Sequence, residues 1–269
     1  MVQAEVKTGK DEASRSAVRD CLYGLAAGER NGGPIRMALR LGASLHACGG
    51  FDAEDVFARY HDWWLNGAFD TGNVFMHVMA LADRGFSAGE AAGLAHQKLD
   101  GQTAGVNAAH RIAPLACYLP ISDAELPRLA RLEAALTHHH ELAGEASAFV
   151  AVLLRALLRG EALPAAVERA RQQASTELLE VLDSGNLPFE ENGFAPMILA
   201  NALHFVLQAT DFDSALEPAL AHAGGANYSP VLVGAIAGAA FGDVPRGLVV
   251  AVHGETVVHE LDTLIEQLA

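Results

Sequence analysis

Gly224-Gly225-Ala226-Asn227-Tyr228-Ser229-Pro230 runs directly into Val231-Leu232-Val233-Gly234-Ala235-Ile236-Ala237-Gly238-Ala239-Ala240-Phe241-Gly242. The glycine pair allows a backbone that few other residues tolerate, and it aims the next residues at whatever lies in front of a helix start. The run behind it is made of Gly, Ala and small aliphatics, so neighbouring helices can approach its backbone closely. A polar turn on a buried small-residue helix is a good place to build a site, and the rest of the chain is read for what gathers around it.

The 269 residues are 51% hydrophobic but only 6% aromatic, so the apolar content is mainly Ala, Leu and Val, a helix-compatible mix. That length can bury a substantial core. A formal net charge of −15 argues against nucleic acid or an anionic membrane as partner, because Lys and Arg supply most of the affinity for phosphate backbones. A small anionic ligand needs only a local arrangement of donors and stays open. Cys21, Cys48 and Cys117 are odd in number and form no CxxC pair, which speaks against a disulfide framework or a thiolate zinc site and for a reducing compartment. The N-terminus has no apolar signal core, and Val231 to Gly242 is too short to span a bilayer. The chain reads as soluble and cytoplasmic.

Residues 1–16 lack periodicity and are expected to form a loose arm, leaving 17–269 as a single all-α domain. From Ala17 a helical pattern runs through Val18, Cys21, Leu22 and Leu25 to Gly28, and a second passes through Met37, Leu39, Leu41 and Leu45. Asp52 is placed to cap a helix carrying Val56, Tyr60 and Trp63 on one face; Ser87 with Glu90 and Ser122 with Glu125 have capping-box spacing. Pro164 and Pro196 suit helix starts. Turns fall at 183–186 and 190–193, and Val257, Leu261, Leu264, Ile265 and Leu268 mark a final amphipathic helix. Leu248 to Val252 is strand-like, but alone it makes no sheet. No fixed-period repeat favours a solenoid.

Five polar turns lie between apolar helices: Glu29 to Gly33, Asp70 to Asn73, Gly105 to Arg111, Thr137 to His140, and Ala226 to Ser229. Taken singly, each is explained by capping, since Asp, Asn, Ser and Gly serve that purpose between helices. The three consecutive histidines point in different directions on a helix and lack HExxH spacing, so a structural role at a helix end is the simpler reading. Arg111 sits in an apolar run with no acid beside it and needs an anion, either a structural carboxylate or a ligand phosphate.

In this order the turns resemble the ADP-ribosylglycohydrolase family. Cys21 to Glu29 resembles its opening helix and Gly-Asp turn, and Phe69-Asp70-Thr71-Gly72-Asn73 its Phe-Asp-x-Gly-Asn element. Arg111-Ile112-Ala113-Pro114 closes a segment similar to Gly-Asn-Gly-x-x-Met-Arg-Ile-Ala-Pro, Thr137-His138-His139-His140 is similar to Thr-His-x-His, and Gly224-Gly225 with Val233 to Ala239 to the last motif. The resemblance covers most of the chain from Ala17 to Gly242 and implies a multi-helix globule acting on an ADP-ribosyl or related nucleotide-sugar bond.

Family members hold two divalent cations, Mg or Mn, between an N-terminal Thr-Asp-Asp-Thr loop and a C-terminal Asp-x-Asp-Thr turn. In this chain Gly32 to Met37 joins the first turn directly to the next helix, and Ala226, Asn227, Tyr228 and Ser229 occupy the second. Neither Ala nor neutral Tyr replaces a hard-cation carboxylate. The expectation is therefore no cofactor and no metal ligand. The resemblance makes Asp70, at a position implicated in catalysis, and Glu29 the candidate catalytic carboxylates. Asn31, Asn73, Asn107, Arg111, His138, His140, Asn227, Tyr228 and Ser229 are the candidate ligand contacts. Three readings stay open: a metal-independent hydrolase, a non-catalytic binder of ADP-ribose or a related nucleotide, and an interaction protein keeping only the fold. A filled centre favours the last, and an open cleft bearing Glu29, Asp70 and Arg111 opposes it.

Overall fold

The computed structural model describes residues 2–185, 190 and 192–268; Asn186 and Glu191, placed in turns by sequence, lie outside them. Among the described residues there are fifteen helices: α1 (Val2–Gly28), α2 (Gly33–Cys48), α3 (Ala53–Leu65), α4 (Asn73–Ala82), α5 (Ala88–Lys98), α6 (Asn107–His110), α7 (Ala113–Cys117), α8 (Leu126–Ala135), α9 (Glu141–Leu158), α10 (Leu163–Arg171), α11 (Thr176–Leu182), α12 (Ala195–Gln208), α13 (Phe212–Ala223), α14 (Ser229–Phe241) and α15 (Arg246–Leu268). They contain no strand beyond an isolated antiparallel bridge between Gly105 and Phe194. The fold is all-α.

The stretch quoted first forms its centre. Residues 229–238 of α14 are all buried, as a helix apolar on every face requires. Its heaviest contact is with α1. Side chains at Gly24 or Gly28 would collide with the Gly234 and Pro230 carbonyls, and one at Gly238 with the Asp20 carbonyl. The two backbones touch, and glycine alone leaves that space. A second buried axis is α9, where Leu142 to Leu157 is buried except for Glu145.

Local signals explain where the helices begin. Asp52 accepts from the N–H groups of Glu54 and Asp55, both at 3.0 Å, and Ser87 with Glu90 closes a capping box on α5. Ser122 and Glu125 also bond each other, at 2.9 Å, but the helix itself opens at Leu126, with Pro127 in its first turn. The helical span of α1 starts well ahead of Ala17, where the apolar periodicity begins. Leu248 to Val252 lies in α15 rather than in a strand. With no neighbouring strand to pair with, its backbone groups are satisfied within a helix, which bends at Gly254 (φ 79°). Beyond that bend Val257, Leu261, Leu264, Ile265 and Leu268 are all buried. No helix of the described residues is long and apolar enough to cross a membrane.

Candidate functional site

Glu29 follows the last residue of α1 and folds back over the start of α2. Its Oε1 accepts the N–H of Gly32 at 2.8 Å and its Oε2 that of Ile35 at 2.9 Å. Opening N–H groups of a helix have no partner within the helix, and the carboxyl supplies one. The side chain is fully buried. Burial, with the negative Asp70 adding to it, pushes its pKa up to about 8 against the pull of the two N–H bonds. The acid/base role expected of Glu29 thus meets a carboxyl with no exposed oxygen and both oxygens engaged.

Asp70 stands on the other side of the same turn. Its backbone is left-handed (φ 51°), and its side chain is exposed. The carboxylate accepts from Asn31 Nδ2 at 3.3 Å, while Gly33 lies so close to the Asp70 carbonyl that any side chain there would collide. Partial burial raises the Asp70 pKa, and the bonds from Asn31 and the Gly33 N–H oppose the rise. Behind it, Asn107 Nδ2 donates to the Thr71 carbonyl at 3.0 Å and fills the space beside Gly72. Asn73 opens α4 and is exposed, its carbonyl 2.9 Å from His77 Nδ1. Glu29, Asn31, Asp70 and Asn107 are thereby brought to one neighbourhood.

Arg111 does not face a ligand. It is completely buried, with Nε donating to Glu133 Oε1 at 2.6 Å and Nη2 to Thr137 Oγ1 at 2.8 Å. Tyr60 donates to the same Glu133 oxygen at 2.7 Å and lies under the guanidinium, 4.8 Å from it to the ring centroid. Of the two anions the sequence left open, the structure supplies the carboxylate.

His138 is buried beside Gly105, its Nδ1 2.8 Å from Thr137 Oγ1. Burial first, then the nearby Arg111 charge, lowers its pKa to about 3. His110 Nε2 donates to the Tyr228 carbonyl at 2.9 Å, and burial lowers its pKa to about 4. Both rings are neutral at ordinary pH. His140 turns elsewhere: its Nδ1 accepts from the Leu142 N–H at 3.2 Å, capping α9, and its ring faces His96.

The turn before α14 is held by a residue from far up the chain. Glu190 Oε2 accepts the N–H groups of Tyr228 at 3.1 Å and Ser229 at 3.0 Å. Asn227 is left-handed (φ 57°) and buried; among the described residues its Oδ1 and the Ser229 Oγ find no hydrogen-bond partner. The Tyr228 ring rests against Gly193. Glu190 thus does at α14 what Glu29 does at α2. Glu133 was legible in principle, because it falls on the same helical face as Leu126, Leu129 and Leu136, where an acid is out of place. No pattern marked Glu190.

These donors do not suit Mg²⁺ or Mn²⁺. The turn offers two neutral oxygens, from Asn227 and Ser229, while the Glu190 carboxylate beside it is engaged by the backbone N–H groups of Tyr228 and Ser229. Among the described residues no group of three or more His, Cys, Asp or Glu is placed to hold a metal ion.

A family model described as ADP-ribosylglycohydrolase matches residues 34–269. The chain belongs to the ADP-ribosylglycohydrolase family. It is 26% identical over 222 residues to the ADP-ribosyl-[dinitrogen reductase] glycohydrolase of Rhodospirillum rubrum, covering 78% of this chain and 69% of that protein. A solved structure titled ADP-ribosylglycohydrolase-related protein complex superposes with a TM-score of 0.75 at 24% identity, covering 96% of this chain and 100% of the other, which is a likeness of fold. Membership supports a hydrolase acting on ADP-ribosyl linkages.

Proposed function

We propose that this chain hydrolyses an ADP-ribosyl bond without a binuclear metal centre, using Asp70, the exposed carboxylate against the Asn31–Gly33 turn, as its base. The observation that carries the reading is the exposed Asp70 carboxylate on the Asn31–Gly33 turn, bonded by Asn31 Nδ2 at 3.3 Å, with partial burial raising its pKa. Glycosidic hydrolysis passes through an oxocarbenium-like transition state, which a nearby carboxylate stabilises. Asp70 takes a proton from the attacking water as the bond at the ribosyl anomeric carbon breaks. The electron pair leaves with the acceptor, which is then protonated from solvent. Glu29 is a positioning residue: it ties the first turn of α2 in place and so fixes Asn31 and Gly33 against Asp70. The ligand is an ADP-ribosylated substrate or an ADP-ribose-like small molecule; the charge of −15 fits neither nucleic acid nor an anionic membrane.

A specific observation favours a second reading, the non-catalytic ADP-ribose binder. With both Glu29 oxygens occupied, a two-carboxylate mechanism lacks its second member. Calorimetry with ADP-ribose beside a hydrolysis assay separates the two. Turnover that survives EDTA and is abolished by Asp70→Asn supports the hydrolase; binding without turnover supports the binder. Full activity in the Asp70→Asn protein overturns the proposed role of Asp70.

A further inference from the structure

Two side chains with no role so far meet over the Asn31–Gly33 turn. Phe69, between α3 and α4, lays its ring edge against Gly32: a Cβ there would sit 3.0 Å from Phe69 Cε2. His253 of α15 brings its Nδ1 to 3.9 Å from the same point. From the next residue along, the Asp70 carboxylate reaches this turn through Asn31 and Gly33. A ring, an imidazole nitrogen and the accessible carboxylate therefore border one turn, and Gly32 has no side chain to fill the space between them.

Each newcomer is held in place. Phe69 packs edge-on against buried Trp63, with centroids 6.1 Å apart and planes at 74°, yet it stays 47% exposed. Trp63 is itself covered by the Arg40 guanidinium at 5.1 Å. A fixed aromatic face kept in water beside a carboxylate is suited to stacking. His253 Nε2 lies 2.7 Å from the Ala26 carbonyl, so that nitrogen carries the proton and Nδ1 is left a bare acceptor. Burial lowers its pKa and keeps the ring neutral.

The ligand's own layout says which part lies there. In an ADP-ribosyl compound the breaking bond is at the anomeric carbon, and adenine is two phosphates and a second ribose away. Phe69 Cε2 lies 3.0 Å from a Cβ at Gly32 and Asp70 Cβ 3.0 Å from one at Gly33, so the ring and the carboxylate border adjacent residues of one turn, which sets Phe69 beside the reacting end of the ligand. We propose that Phe69 and His253 select the acceptor, which is a flat group bearing an N–H: its face lies on Phe69, and its N–H donates to His253 Nδ1. This inference rests on Asp70 marking the reacting centre.

The test is calorimetry with two probes, ADP-ribose, which lacks an acceptor, and the carbocyclic analogue of nicotinamide adenine dinucleotide, which carries a flat carboxamide ring and is not hydrolysed. Phe69→Ala weakens the dinucleotide on the order of tenfold while changing ADP-ribose less than about twofold; Phe69→Tyr restores it. His253→Ala weakens the dinucleotide about threefold or more, again sparing ADP-ribose. Equal losses for both probes, an unchanged dinucleotide affinity, or a dinucleotide that fails to bind where ADP-ribose does, overturns the inference alone. A wild-type protein that binds neither probe overturns the Asp70 reading with it.

Discussion

Replacing Glu29 with glutamine tests the account of the Asn31–Gly33 turn through the pH dependence of stability. In the unfolded chain this carboxyl ionises near its ordinary value of 4.5; in the folded protein it does so at about 8. Between those values the folded state keeps a proton that the unfolded state has released. Its contribution is full below the unfolded value and is lost as pH rises, at about 1.4 kcal/mol per unit, levelling off near the folded value. From about pH 6.5 to 8 the wild type should lose roughly 1.5–2 kcal/mol from this group. The glutamine side chain has no such proton, but its amide presents one oxygen and one NH₂ where the two N–H groups of Gly32 and Ile35 need two acceptors. That mismatch costs about 1–3 kcal/mol at every pH. Urea unfolding of both proteins at several pH values, followed by far-UV circular dichroism, should show the gap between them narrowing as pH rises. His110 and His138 act equally in both proteins and cancel. Parallel stability curves would show that Glu29 is ionised in the fold and refute the reasoning.

Glu133→Ala should destabilise the fold by about 3–5 kcal/mol, because it strands the Arg111 charge, and Arg111→Met in that background should recover part of the loss in chemical denaturation. Gly234→Ala should lower the melting temperature sharply, since the new methyl meets the Gly24 carbonyl, whereas Gly49→Ala, with nothing within 4 Å, should show only the strain of its positive φ. His110 and His138 have folded values lowered from 6.5 to about 4 and about 3, so the stability they lend is full above 6.5 and drains away as pH falls through the folded values. An acid titration followed by near-UV circular dichroism should therefore show its midpoint shift downward when His138 is replaced by Gln. Glu190→Ala leaves the N–H groups of Tyr228 and Ser229 without their acceptor and should cost about 1–3 kcal/mol in the same unfolding assay.

Much of the fold was legible because it rests on local rules. Asp52, Ser87 with Glu90, and the apolar spacing from Val257 to Leu268 each act within a few residues, and each does in three dimensions what its spacing implies. The strand-like run at 248–252 misleads for the converse reason: β-branched side chains favour a strand only where another strand can pair with it. At the site, the motif position singled out Asp70, while its exposure and its bond from Asn31 depend on how two turns 39 residues apart meet. The partners of the buried groups were out of reach, because they come from far along the chain. Arg111 finds Glu133 22 residues on, and the α14 turn finds Glu190 almost forty residues back. Arg155 is a further case: it sits in the last turn of α9 among apolar residues and spends its donors on the carbonyls of Leu115, Ala116, Tyr118 and Ile121 and on the Asp123 carboxylate.

The contact of α1 with α14 bears on how such a site changes over time. The two turns that border it, 29–33 and 226–229, leave from opposite partners of a joint made of main-chain atoms, with Gly24, Gly28, Gly234 and Gly238 at the crossing. Such a joint owes nothing to the side chains mounted on its ends. Carboxylates can be traded for Asn, Tyr or Ser there without shifting the frame, provided that some acceptor still meets the helix N–H groups. Glu29 and Glu190 meet that condition. The frame therefore does not depend on which side chains these two central turns carry, so a substitution there registers in the chemistry of the site before it registers in the architecture.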